Sequence, residues 1–272
     1  MTDTKIPSTF KKLDNGNIEI VFSISGDYIL KEKQATLIEK QKDITISGFR
    51  KGKAPLSKVE ETVSEEKLTE HILSHILPHA FSDSVATHKF NPAMYPKFEA
   101  VKITSSKNVG EDTVWEIKAI TCELPKVVLP KDYTKKLKKD EKDQNVLVKS
   151  LLETVKLDIP RLLIEEEVNG RLAQVLDRIE KLGLTLEGYL KSVGKTPEIL
   201  RAEYEIQSKD AISLELVLNS VANEEKIDVE DKEVDEFIKS TGEDEKKVGE
   251  EQRNILKRVI LRRKALEKLA SK

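Results

Sequence analysis

Residues 18–25 read Ile-Glu-Ile-Val-Phe-Ser-Ile-Ser. Ile18, Ile20, Phe22 and Ile24 recur at every second position, which puts them on one face of a strand with Glu19, Ser23 and Ser25 opposite. Gly26-Asp27 ends the strand, and Asp27 is placed to cap a helix running from Tyr28 to about Gln41. Asp43 to Ser47 is short and β-branched, and Gly48 to Pro55 reads as a loop. A long helix is expected from about Ser57 to His88, bent at Pro78, with Asn91-Pro92 breaking the chain after it. Lys97 to Thr104 and Thr113 to Glu123 read as two strands facing each other across Ser105 to Asp112. Residues 1–123 thus predict an α+β domain in which helices pack on a small antiparallel sheet.

Leu124 to Gln144 is different material. It holds Pro125, Pro130 and the run Lys135-Lys136-Leu137-Lys138-Lys139, and it reads as a linker, extended at first and solvated throughout. From residue 145 to 272 the pattern is helical. Asp158-Ile159-Pro160 is a helix start, with the cap ahead of a proline in the first turn. Val168, Leu172, Val175, Ile179 and Leu182 step by four and three until Gly183. A short helix spans Leu186 to Val193 and ends at Gly194. Thr196-Pro197-Glu198 opens a long one, with Leu200, Tyr204, Gln207, Ala211, Leu214, Leu218 and Val221 at the same spacing. Asp228 is placed to cap another short helix, and Glu245 to Ala270 forms the last. Two such seams on charged helices imply arm-like helical hairpins, hence an elongated two-domain architecture with an all-α second domain. Length agrees: 272 residues at roughly 150 per domain is about two domains.

The net charge of −2 hides blocks of charge. Lys40 to Lys58 holds six basic residues and one acid, Glu224 to Glu251 thirteen acids and five lysines, and Arg253 to Lys272 eight basic residues and one acid. Each block must be read separately, so the near-neutral total argues against general nucleic-acid affinity but not against a local basic site. Several classes are excluded. The longest stretch free of Asp, Glu, Lys and Arg, His71 to Ser82, is too short for the ~20 residues of a membrane helix. Met1 to Ile6 has no apolar segment behind a basic start, so no secretory signal is read there and a cytoplasmic location is expected. Cys122, the single cysteine, excludes an internal disulfide and any CxxC motif, and in an apolar strand it reads as a small buried hydrophobe.

No catalytic constellation is visible. Gly194-Lys195-Thr196 resembles the end of a phosphate-binding loop, but Tyr189 stands where that motif needs glycine, so a helix cap is the better reading. His71, His75 and His79 are spaced by four, the minimum for a metal pair on a helix face. They flank the stripe Leu68, Ile72 and Ile76, and no neighbouring Cys or carboxylate completes a ligand set. No metal and no cofactor are therefore expected.

One segment does not read as fold maintenance: Gly48-Phe49-Arg50-Lys51-Gly52-Lys53-Ala54-Pro55. Two glycines permit positive φ, Pro55 stiffens the exit, and one aromatic stands among three cations. Buried cations need partners, so one reading is an outward loop, with Phe49 as a contact group for a surface of phosphates and acids. The competing reading is a basic turn with Phe49 in the core.

This octapeptide is similar to the ribosome-docking signature G-F-R-x-G-K-x-P of the trigger factor family, with every fixed position filled. Asn91-Pro92 to Phe98 and Val114 to Cys122 resemble the rest of that family's N-terminal domain. Asp158-Ile159-Pro160, Glu165 to Val168, Gly183 to Gly194, Thr196 to Arg201 and Leu261 to Leu266 resemble its C-terminal chaperone domain. Ser47 departs from the proline that commonly precedes Gly-Phe-Arg in the family. The family's FKBP-type prolyl-isomerase domain does not fit between Pro130 and Pro160, so its activity is not carried over and no enzyme is expected.

The resemblance implies an ATP-independent chaperone. Gly48, Phe49, Arg50, Lys51, Gly52, Lys53 and Pro55 would dock it on a tunnel-exit ribosomal protein and rRNA, while the helical domain shields nascent or unfolded polypeptides. Neither a membrane nor a cofactor is a partner in this reading, and a homodimer off the ribosome is compatible with it. Two alternatives stay open on sequence: a ribosome-independent cytosolic holdase or assembly factor, and an RNA-binding protein using the basic loop and the C-terminal helix.

Overall fold

The computed structural model describes residues 5–138, 144–241 and 248–271, and the chain falls into two compact units, Met1–Leu124 and Pro125–Lys272. The first unit is organised by the alternation at residues 18–25. Strand β2 (Asn17–Ser25) pairs antiparallel with β1 (Ser8–Lys12) on one side and β4 (Val114–Cys122) on the other, and β3 (Lys97–Lys102) lies outside β4. In that register Ile20 stands opposite Ala119, Phe22 opposite Ile117 and Ile24 opposite Trp115. All six are buried, because period two sends one set of side chains to a single face. Helices α1 (Gly26–Asp43) and α3 (Glu65–His88) close that face with Ile29, Leu37, Leu68, Ile72 and Ile76. The Trp115 indole, fully buried, donates to Thr104 Oγ1 at 3.1 Å.

Local chemistry revises several expectations. Helix α1 starts two residues earlier than a cap at Asp27 allows: Ser25 is the N-cap and Asp27 sits in the first turn, where a carboxylate favours the helix dipole. The long helix divides into α2 (Leu56–Thr62) and α3. The Thr62 hydroxyl donates back to the Val59 carbonyl at 2.7 Å, Val63 is extended, and Ser64 with Glu65 and Glu66 begins a new helix. Helix α3 then runs unbroken past Pro78. Asp43 to Ser47 forms no strand; Ile44 and Ile46 lean on the core as irregular chain. β1 was not foreseen, because only Phe10 in Ser8–Lys12 carries an apolar signal; its ring stacks on His88 at 4.5 Å.

The second unit is all helical: α4 (Gln144–Thr154), α5 (Arg161–Lys181), α6 (Leu186–Val193), α7 (Pro197–Glu224), α8 (Asp231–Ser240) and α9 (Glu250–Ser271). Its main core joins Leu147 and Leu151 of α4, Val217, Val221 and Ala222 of α7, and Ala265 and Leu269 of α9. The stretch expected to be a solvated linker contributes to this core between residues 127 and 137, while residues 139–143 lie outside the described residues. Tyr133, in a 3₁₀ turn (Tyr133–Lys136), is buried there, Val127, Leu129 and Leu137 pack against it, and the Lys138 N–H donates to Ser150 Oγ at 2.9 Å. Charge on the lysines concealed it: Lys135, Lys136 and Lys138 are exposed while the aromatic turns inward.

The seam of α7 is also corrected. Leu200, Leu218 and Val221 are buried, but Gln207 and Ala211 are exposed and Ser208 and Val217 are inside. The helix serves different partners along its length: Glu205 meets Arg161 of α5, while Glu215 meets Arg262 of α9. A strict seven-residue stripe drifts about 20° per heptad on a straight helix, so it cannot serve both. At the helix ends, Pro160 itself is the N-cap of α5 rather than Asp158. Asp228 accepts from the Val229 N–H, and the cap of α8 is Glu230, whose N–H donates to the Glu233 carboxylate at 2.9 Å. Residues 245–247 of the expected last helix lie outside the described residues.

Candidate functional site

The loop from Gly48 to Pro55 is built from two hydrogen-bonded turns. The Phe49 N–H donates to the Ile46 carbonyl at 3.1 Å, and the Lys53 N–H donates to the Arg50 carbonyl at 2.9 Å. The third residue of each turn is a glycine with positive φ, Gly48 at +84° and Gly52 at +77°, and the second residues, Ser47 and Lys51, are not in the positive region. That combination defines type II turns, whose third position excludes a Cβ at ordinary cost.

Both roots of the loop are fixed. Ile44 and Ile46 lean on the core at the entry; at the exit Ala54 is buried and its carbonyl accepts from Gln41 Nε2 of α1 at 2.6 Å. Lys33 of α1 and Glu60 of α2 pair at 2.7 Å and hold the following helix to the same scaffold. The middle is left outside. Phe49 is 41% exposed, and Arg50, Lys51 and Lys53 are exposed and form no ion pair among the described residues. Gly48, Phe49, Arg50, Lys51, Gly52, Lys53 and Pro55 therefore stand together on a short, anchored projection, and the alternative with Phe49 in the core does not hold.

The second basic block is arranged differently. On α9, Arg262 pairs with Glu215 at 2.7 Å, Lys257 reaches Asp231 at 3.5 Å, and Arg253 bonds Asp235. Lys264 Nζ donates to both Glu233 oxygens, at 2.9 and 3.0 Å, and to the Asp228 carbonyl at 2.8 Å. The Lys264 contact and the Glu230 N–H hold the half-buried Glu233 carboxyl below its usual range. Three basic side chains of α9 thus meet the acidic run, and Arg262 and Arg263 meet Glu215 and Glu267, which lowers the charge open to an RNA.

Other candidates resolve individually. Gly194 is a left-handed C-cap, Thr196 Oγ1 accepts from the Ile199 N–H at 3.3 Å, and Lys195 bonds Glu203, so this triplet links two helices. Cys122 is buried, and burial pushes its thiol up to about 11. The histidine reading needs correction, because a carboxylate does reach the pair: Glu39 of α1 lies 3.3 Å from His71 Nε2. His79 is not part of that group. In the second unit, Leu176, Leu182, Leu184, Leu186, Val193 and Ile199 are exposed along α5, α6 and the start of α7. Sequence periodicity could not single them out, since the same spacing serves a core or an open face.

Two family models match. "Bacterial trigger factor protein (TF)" covers residues 6–156, and "Bacterial trigger factor protein (TF) C-terminus" covers residues 132–271. The chain belongs to the trigger factor family. The two matches overlap at 132–156, which leaves no room for an isomerase domain between them. Curated trigger factors similar to it include that of Agathobacter rectalis, 34% identical over 46% of this chain and 27% of the relative. That of Finegoldia magna is 31% identical over 51% and 35%, and that of Streptococcus mutans 29% identical over 72% and 42%. The matched stretches thus span well under half the length of these relatives. A solved chain from work on promiscuous substrate recognition by the trigger factor chaperone shares the fold, with a TM-score of 0.67 at 14% identity over 97% of this chain and 99% of that one. Among the described residues no helix is long and apolar enough to cross a membrane.

Proposed function

We propose that the chain is a cytoplasmic, ATP-independent chaperone that docks at the ribosomal tunnel exit through Gly48–Pro55 and shields emerging polypeptides with its helical unit. The observation that carries this reading is the half-exposed Phe49 among Arg50, Lys51 and Lys53, none of them ion-paired among the described residues, on a projection pinned at both roots. Three cations answer rRNA phosphates and an acidic patch on a tunnel-exit protein, and the ring is buried on contact. Apolar side chains left open along α5, α6 and α7 supply weak, non-directional contacts, which suit a client that must leave to fold. Prolyl isomerisation is not part of this reading, since no intervening domain separates the two matched regions.

Replacing Phe49, Arg50 and Lys51 together by Ala is expected to abolish co-sedimentation with ribosomes while leaving the circular dichroism spectrum unchanged. Sedimentation retained by the triple variant at moderate salt overturns the docking role. Suppression of client aggregation without any ribosome dependence in the native chain would favour a free holdase instead.

A further inference from the structure

We propose that Glu39, His71 and His75 form a binding site for a divalent transition-metal ion of the Zn2+ class, clamping α1 to α3. His71 and His75 stand four residues apart on α3, with ring centroids 4.7 Å apart. Glu39 comes from the last turns of α1, thirty-two residues away in sequence, with Oε2 3.3 Å from His71 Nε2. One ligand atom from each of the three lies within 4.8 Å of the others. A tetrahedral ion with bonds of about 2.0–2.1 Å needs ligand atoms about 3.4 Å apart, so small side-chain rotations bring the set to bonding distance.

The core has already fixed the backbone. Leu37, two residues before Glu39, and Ile72 and Ile76, each one after a histidine, are buried between the same helices. Little ordering remains to be done when an ion arrives. His71 is half-buried whereas Glu39 and His75 are exposed, which gives an entry path and leaves a fourth position to water. Two imidazoles and one carboxylate suit Zn2+, Co2+, Ni2+ or Cu2+; the oxygen-seeking Mg2+ and Ca2+ are disfavoured. The site also lies two residues from Gln41, which holds the Ala54 carbonyl, so ligation would steady the helix end from which the loop departs. None of this depends on what the loop binds.

The test uses the full chain stripped of metal. Calorimetric titration with Zn2+ should show one equivalent bound, Co2+ should give the visible absorption of a tetrahedral site, and Mg2+ should do neither. Glu39→Gln and His75→Ala should each weaken Zn2+ more than about ten-fold, the loss typical of even an outer-shell partner. His79→Ala, one turn further along α3, should bind as the native chain does. The thermal midpoint of the first unit, read from Trp115 fluorescence, should rise with free Zn2+ in the native chain and in His79→Ala, but not in His75→Ala. Unchanged Zn2+ affinity in a folded His71→Ala/His75→Ala variant, or no binding by the native chain with Zn2+ in large excess, overturns the site.

Discussion

Phe49→Ala separates the apolar part of docking from the ionic part. With 41% of the residue exposed, and a phenyl side chain worth about 200 Å2, roughly 80 Å2 of apolar surface remains for a partner to cover. At about 25 cal/mol per Å2 that is about 2 kcal/mol, or a Kd raised about 30-fold. Phe49→Leu, which keeps most of the area, should cost only a few-fold. Neither change removes a cation, so the slope of log affinity against log salt should stay as in the native chain. Lys51→Ala should instead lower that slope by about 0.7 to 0.9 if the ammonium sits on a phosphate. Pelleting of ribosomes across a salt series reads both quantities at once. Folding is not at risk, because Phe49 lies outside the core and the turn it closes uses only its backbone N–H. A Kd for Phe49→Ala within about two-fold of native means that the ring remains in water, and the docking geometry argued above fails.

Three other substitutions probe the turn, the sheet-to-helix junction and the α8–α9 contact. Ser47→Pro should stabilise the first unit by about 0.4–1 kcal/mol, since the second position of a type II turn already wants proline's φ and the Ser47 N–H makes no bond among the described residues; urea unfolding followed by Trp115, the single tryptophan, checks it. Gly26→Ala should destabilise that unit by about 3 kcal/mol or more, because its Cβ would stand 2.0 Å from the Gly110 carbonyl oxygen and 2.9 Å from that of Glu111, backbone atoms that cannot swing aside; a Trp115 midpoint close to native would refute this. Glu233→Gln should lower the melting midpoint of the helical unit at neutral pH. A carboxyl whose folded value lies below its ordinary 4.5 stabilises above that value and loses the effect as pH falls through the folded one, so the gap between variant and native should close in acid.

The first unit was largely legible because a half-buried sheet writes itself as alternation: Ile18, Ile20, Phe22 and Ile24 have no other use for period two. The turns of the loop were legible because positive φ favours glycine at Gly48 and Gly52, whereas the outward Phe49 was not, since an aromatic beside cations also fits a basic turn on the core. The helix junction at Gly194 and Thr196 carried its own capping chemistry. What stayed hidden depended on distance along the chain. Nothing near His71 and His75 announced Glu39, because the packing of α1 on α3 brings them together. Tyr133 was concealed by the lysines around it, and β1 by having one apolar residue. The α7 stripe misled because its residues answer to α5 at one end and to α4 and α9 at the other, and no single period describes two neighbours.

The sheet has two rims, and both matter to a molecule proposed to live among unfinished chains. β3 lies at one rim, its register slips between Ala100 and Lys102, and it carries Lys97 and Lys102 at its ends. β1 lies at the other and finishes in Lys11-Lys12, with Lys12 tied to Glu123. Irregular, lysine-bearing margins give an extended stranger no clean ladder to anneal onto. In the proposed role these margins leave a client no place as a fifth strand.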